Sequence, residues 1–189
     1  MRELTFSRFS SAKGLLKSNP ITRDWGFWVK HLTILRTTTN KDTTNFVFGQ
    51  IAKGETRNDK NVQFIDAMAL DIDEVSEDTV EEIFEKLSQF EFLLYTSFNH
   101  KSSKLDPAKN NKLRILLPLA ERIHPSKYKA IQSRFDSLIG GNNDKGVRKI
   151  SQPYYVYSIH PDRKDKAFFI HNRGRWIEHA DLPEVSQYE

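Results

Sequence analysis

Ala67-Met68-Ala69-Leu70-Asp71-Ile72-Asp73-Glu74 is an apolar run that ends in two carboxylates one residue apart. A short apolar run bounded by polar segments reads as a strand. Side chains alternate along a strand, so Asp71 and Asp73 project from the same face. Two like charges held that close repel unless a cation or a proton lies between them. A hard divalent cation with oxygen ligands suits the position. The pair also suits a plain strand end that leads into a helix cap, and a lone Asp-x-Asp does not choose between these readings.

The residues that follow give the strand its setting. Ser76 is an N-cap candidate, and Glu77, Asp78, Glu81 and Glu82 lie near the positive end of the helix it would start. Val80, Ile83, Phe84 and Leu87 fall at i, i+3, i+4 and i+7 and mark one apolar face. A second apolar strand reads Phe92-Leu93-Leu94-Tyr95-Thr96-Ser97. Strand, helix and strand in this order predict a βα unit whose strands share a sheet. Phe98-Asn99-His100 leads into a polar loop with Lys101, Lys104, Lys109 and Lys112, and the chain returns as Leu113-Arg114-Ile115-Leu116-Leu117-Pro118-Leu119, the second arm of a hairpin. The lysine-rich loop suits both a surface excursion and a flap over a bound strand. Pro125 fits the first turn of another helix, with Tyr128, Ile131, Phe135 and Leu138 in register and Gly140-Gly141 to stop it. Tyr154 to Ser158 and Ala167 to Ile170 read as the last strands. Of Tyr154, Tyr155 and Tyr157, alternation puts at least one in the core.

Toward the N-terminus, Phe46 to Gly49 reads as a short strand and Gly54 to Asn61 as a loop carrying Arg57 and Lys60. Trp25, Trp28, Val29, Leu32 and Leu35 predict a helix over 21–36, capped by Thr22 or Asp24. Residues 1–20 are polar, with Phe6, Phe9, Leu15 and Leu16 as the only packing candidates. On this pattern residues 1–44 form a helical part, 45–175 the core of a single domain and 176–189 an acidic tail.

Composition bounds the function. At 189 residues, 38% hydrophobic, with thirteen Phe, three Trp and six Tyr, the chain can bury a substantial core. The absence of cysteine excludes disulfides and thiolate metal sites. No apolar run is long enough to cross a bilayer, and no signal-peptide pattern is present, so a cytoplasmic location is expected. The net charge of +4 permits an anionic partner without requiring one. Acids gather in 71–91 and bases in 101–114 and 145–175, an arrangement that suits a metal bordered by a polyphosphate or a nucleic-acid strand.

Three motifs in order, ALDIDE, then YTSFNHKSSK with LRILLPL, then NNDKGVRKISQPYYVYS, resemble the archaeo-eukaryotic primase superfamily, in particular the primase-polymerase domains of phages, plasmids and other mobile elements. They span roughly residues 45–160. The resemblance implies an α/β (α+β) fold in which an RRM-like mixed or antiparallel sheet carries the acids and helices flank it on one face. It implies a template-dependent nucleotidyltransferase, a DNA primase or DNA polymerase, using two divalent ions, Mg²⁺ or Mn²⁺. It gives Asp71 and Asp73 the metal-ligand and catalytic role, with Asp144 as third carboxylate and Asp136 as its rival. His100 matches the family histidine on the incoming nucleotide's phosphates. Ser97, Arg114, Arg148 and Lys149 are further nucleotide-binding candidates, although the family spacing is Ser-x-His and here two residues separate Ser97 from His100. Implied partners are a single-stranded DNA template with primer, a dNTP or NTP, and a helicase domain or protein, since no Walker-type Gly-x-x-x-x-Gly-Lys-Ser/Thr occurs. On that view the chain is a catalytic domain of a larger replication protein.

Two other readings compete. A rolling-circle initiator needs a His-hydrophobic-His pair and a Tyr-x-x-x-Lys element, and the scattered histidines supply neither. A non-catalytic nucleic-acid-binding module would keep the acids as structural groups.

Overall fold

The computed structural model describes residues 2–144 and 149–183. The strands are β1 (Leu4–Phe9), β2 (Asn19–Arg23), β3 (Arg36–Thr37), β4 (Asn45–Val47), β5 (Gly49–Ile51), β6 (Val62–Val75), β7 (Phe92–Thr96), β8 (Asn111–Ile123), β9 (Tyr154–Tyr155), β10 (Ser158–Ile159) and β11 (Phe169–Asn172). The helices are α1 (Trp25–Leu32), α2 (Glu77–Leu87) and α3 (Tyr128–Leu138). The fold is mixed α+β, as expected.

β6 is the spine. It sits in a five-stranded sheet of order β11-β7-β8-β6-β5, antiparallel to both β8 and β5. Since β8 is antiparallel to β7 as well, β6 and β7 run parallel with β8 inserted between them. This is the βα unit anticipated from residues 67–97, split by the returning arm of the hairpin. The Ser76 side chain accepts from the Thr79 N–H and starts α2. α3 stops where Gly140 and Gly141 take φ of +73° and +75°, which a side chain would oppose.

Each face of the sheet buries a different core. Met68, Leu70 and Ile72 point into the cluster with Val80, Ile83 and Leu87 of α2 and Ile131 and Phe135 of α3. Ala67 and Ala69, half a pleat away, meet Phe46, Phe48 and Tyr154 together with Trp25 and Trp28 of α1. That second layer is a four-stranded sheet of order β2-β1-β4-β9. Alanine at 67 and 69 leaves room for the aromatic rings above. Asp71 and Asp73 continue this same face beyond the alanines.

The second sheet corrects the expectation of a helical residues 1–44 with helices on one side only. Residues 4–9 form a strand, and the helix runs from 25 to 32 rather than 21 to 36, capped by Asp24, whose carboxylate accepts from the Phe27 N–H. Polar residues of β1 are buried because each finds a partner. The Thr5 hydroxyl meets that of Thr22 at 2.9 Å, and the Ser7 hydroxyl donates to the Gly49 carbonyl at 2.9 Å. The Phe46-Gly49 stretch also splits: β4 joins the second sheet and β5 the first. No helix among the described residues is long and apolar enough to cross a membrane.

Candidate active site

β6 outruns the layer that covers it. Past Ala69 the second sheet gives way, and the rest of the face forms the floor of a cleft of about 180 Å³ lined by Asp71, Asp73, Tyr95, Ser97, Lys112 and Arg114. Lys41, Asn99, Asp144, Gln152 and Tyr155 complete its walls.

Cross-strand pairing fixes the floor. In one row Tyr95, Arg114 and Asp71 lie opposite one another on β7, β8 and β6, and Lys112 lies opposite Asp73 nearer the strand end. The Arg114 Nε donates to the Asp71 carboxylate at 2.6 Å, and its Nη1 donates to the Tyr155 carbonyl at 2.8 Å. The guanidinium lies over the Tyr154 and Tyr95 rings at 5.1 and 5.8 Å. Burial works against the Arg114 charge, but Asp71 and Tyr95 together outweigh it and raise the pKa. The Lys112 Nζ lies 3.0 Å from Asp73 Oδ2 and 3.2 Å from Glu74 Oε1. Burial likewise opposes the Lys112 ammonium, and the two carboxylates reverse that to a net rise.

Asp144 reaches the cleft through the backbone. β5 pairs only with the start of β6, which leaves the far edge of β6 open near Asp71. Asn143 and Asp144 fill it. The Asn143 side-chain carbonyl accepts the Asp71 N–H at 3.0 Å, and the Asp144 N–H donates to the Asp71 carbonyl at 2.8 Å. Asp136, the rival third carboxylate, supports that turn by accepting the Asn143 N–H at 3.2 Å. Asp136 does not line the cleft that holds Asp71 and Asp73.

The other expected residues part company. Ser97 lines the cleft, and its N–H donates to the Lys112 carbonyl. His100 does not line it. The turn closed by the His100 N–H on the Ser97 carbonyl carries the ring inward, where it is 1% exposed. There Nδ1 accepts the Lys112 N–H at 3.2 Å, and the ring meets Phe168 edge-on. Burial, reinforced by Lys101, pushes its pKa down to about 4, so the ring is neutral at pH 7. Lys149 lies away from the carboxylates in a separate hollow with Arg57, Asp59 and Ser151. Arg57 is occupied by the Ala12 and Ser151 carbonyls. Arg148 lies outside the described residues. Tyr154 and Tyr157 are buried, and Tyr155 alone of the three tyrosines faces the cleft.

Lys41 and Lys112 are cationic cleft residues that sequence reasoning did not single out as ligands. Strand register carried a signal for Lys112: two residues before Arg114, it shares Arg114's face once β8 is extended back by one residue. Nothing local marks Lys41, which a polar connection delivers from outside the core.

The donor set suits a hard cation in kind, with two carboxylates on one face of one strand at an open cleft. Among the described residues, however, no three His, Asp or Glu side chains are grouped to hold a metal. Each strand carboxylate is instead engaged by a cation from β8.

The split βα sheet is backed by two helices and carries the paired aspartates on its long strand β6, next to the central strand β8. The chain is similar to the AEP domain of the cyanophage S-2L primase-polymerase, with a TM-score of 0.56 over 95% of this chain and 89% of that one, at 13% identity. That likeness establishes the fold. The model of the VapE N-terminal domain matches residues 29–179, and the chain belongs to that family. The likeness to a primase-polymerase domain holds at the level of the fold, and the family shown is that of the VapE N-terminal domain. No curated protein matches the chain significantly.

Proposed function

We propose that the chain is a template-dependent nucleotidyltransferase, a primase or polymerase of a mobile-element replication system, that joins a dNTP or NTP to a 3′-hydroxyl on single-stranded DNA. One observation carries the reading: in a primase-polymerase fold, Asp71 and Asp73 lie on one face of the long strand β6 where its covering layer stops. Asp71 and Asp73 would hold Mg²⁺ or Mn²⁺, with Asp144 beside them at the cleft wall. Such ions, when bound, activate the attacking oxygen and neutralise the leaving pyrophosphate.

The chain's own residues do the remaining work. Arg114, fixed between Asp71 and the Tyr155 carbonyl, sets the direction of the Asp71 carboxylate. Lys41 and Ser97, both lining the cleft, offer an ammonium and a hydroxyl to phosphate oxygens. His100 acts from behind, holding the backbone of Lys112. At about 180 Å³ the cleft is smaller than the several hundred Å³ of a typical small-molecule pocket, so it suits the triphosphate end of a nucleotide rather than the whole.

The ion pairs on both strand aspartates favour one other reading, a nucleic-acid-binding module in which the acids are structural. Primer extension separates the two. Purified protein is given primed and unprimed templates, labelled dNTPs or NTPs and Mn²⁺ or Mg²⁺, beside Asp73→Asn. Incorporation by the wild type and its loss in the variant is the expected result. DNA binding that survives chelation, with no incorporation by either protein, would establish the module instead.

A further inference from the structure

The strongest unexplained feature of the cleft is where the Lys112 ammonium rests. Asp73 and Glu74 are neighbours on β6, so a regular strand would point them to opposite faces. The register slips between Asp73 and Val75, and Glu74 takes φ of +59°, a conformation uncommon for a residue with a side chain. The kink brings both carboxylates onto one ammonium, at 3.0 and 3.2 Å. Lys112 itself is only 12% exposed, whereas the two acids are 39% and 61% exposed. The base is tucked in and the acids face the solvent side.

The two β8 cations are also unlike each other. Arg114 is pinned at both ends, by Asp71 and by the Tyr155 carbonyl, and sandwiched near two tyrosine rings. Lys112 is fixed only through its backbone, by the His100 ring and the Ser97 N–H. Its side chain is a flexible four-carbon stem whose one charge is held by two acids near solvent. Because the acids of these pairs face solvent, each pair is worth less than a fully buried one.

We propose that Lys112 serves two partners in turn: it is the counter-ion of Asp73 and Glu74 before metal binds, and a divalent cation displaces it onto the phosphates of the incoming nucleotide. The idea rests on the nucleotidyltransferase reading and adds a substrate-positioning residue to it. Lys112 already lines the cleft with Ser97 and Lys41, so the move needs a change of side-chain torsions and no backbone rearrangement.

Two binding measurements on the full chain test it, and they must move in opposite directions. In Lys112→Met, Mn²⁺ alone, followed by calorimetry or electron paramagnetic resonance, is expected to bind about three- to tenfold more tightly, because no tethered cation competes. With Mn²⁺ saturating, a non-hydrolysable nucleoside triphosphate is expected to bind about tenfold more weakly, one charge-assisted contact having been lost. Lys41→Met is the control for bulk charge. It removes an ammonium from the same cleft without touching Asp73, so its Mn²⁺ affinity should change less than twofold. Lys112→Gln repeats both measurements should the methionine variant fail to fold. Equal tightening in Lys41→Met, an unchanged or weaker Mn²⁺ affinity in the Lys112 variants, or undiminished triphosphate binding would each overturn the proposal while leaving the nucleotidyltransferase reading intact. A wild type that binds neither Mn²⁺ nor triphosphate overturns both.

Discussion

The two ends of β6 carry the same chemistry and put it to different use. At the N-terminal end Asp66 is fully buried. Its carboxylate accepts from the Thr5 N–H at 2.7 Å, from Arg2 at 2.6 Å and from Arg122 at 3.0 Å. At the other end Asp71 and Asp73 also face basic side chains, Arg114 and Lys112, but their side chains are 14% and 39% exposed. What differs is the cover. β1 and the N-terminal arm close over Asp66, while the second sheet stops short of Asp71. A carboxylate satisfied by a backbone N–H and two guanidiniums is part of the framework. One whose partner is a single lysine at an open cleft can exchange that partner for something from solution.

The sharpest test of this contrast sets activity against stability. Asp73→Asn should lower incorporation at least about a thousandfold, as expected when several kcal/mol of transition-state charge stabilisation is lost. Its unfolding free energy in urea should change by less than about 1 kcal/mol, the worth of a partly exposed pair. Asp66→Ala should behave in the opposite sense. It leaves the buried Thr5 N–H without its acceptor and frees the partly exposed Arg2 and Arg122, and urea unfolding should report a loss of about 1–3 kcal/mol. Equal destabilisation by the two substitutions would erase the distinction between the ends. Asp71→Asn should fall between them, losing activity and also stability, because Arg114 is nearly as buried as a framework group.

The sequence displays the open end of β6 better than the closed one. Alternation along residues 67–73 is enough to place Asp71 and Asp73 on one face, and the helix and hairpin that follow are readable because their apolar residues keep period and their caps are standard. The layer over Ala67 and Ala69 was not legible. β1 hides Thr5 and Ser7 in its core, and a polar residue announces burial only through a partner far along the chain, Thr22 for one and Gly49 for the other. His100 failed to reach the cleft for a related reason. Residue spacing set it beside the site, but the turn that decides which way the ring points depends on Phe168 and the backbone of Lys112. Lys41 is legible only once β4 and β9 are paired, since it enters over Tyr155 from another layer.

The boundary between covered and open face is itself testable through Ala69. It is 3% exposed beneath the aromatic layer, and its carbonyl lies 3.4 Å from the Tyr154 hydroxyl. Ala69→Leu adds three carbons where the two sheets meet, and overpacking of this kind costs about 1–3 kcal/mol. Because Tyr154 also lies over the Arg114 guanidinium, the same substitution should weaken Mn²⁺ or nucleotide binding through a displaced Arg114. An Ala69→Leu protein as stable as the wild type would mean that the second sheet sits more loosely than its burial suggests.

The most gradual expected effect belongs to His100, spread over several pH units. Its folded pKa, about 4, lies below the ordinary value of 6.5, so the unfolded chain takes up the proton first as the pH falls. His100 therefore contributes nothing pH-dependent above about pH 6.5, and stability is lost progressively from there down to about pH 4. Over the single unit from pH 6.5 to 5.5 the loss from one such group is at most about 1.4 kcal/mol. Thermal unfolding across pH 4–8 should show that decline in the wild type and a shallower one in His100→Asn, whose side-chain oxygen can still accept the Lys112 N–H without titrating. Parallel curves would mean that the ring is hydrated rather than buried, and His100 would then be free to meet phosphate as its place in the sequence first suggested.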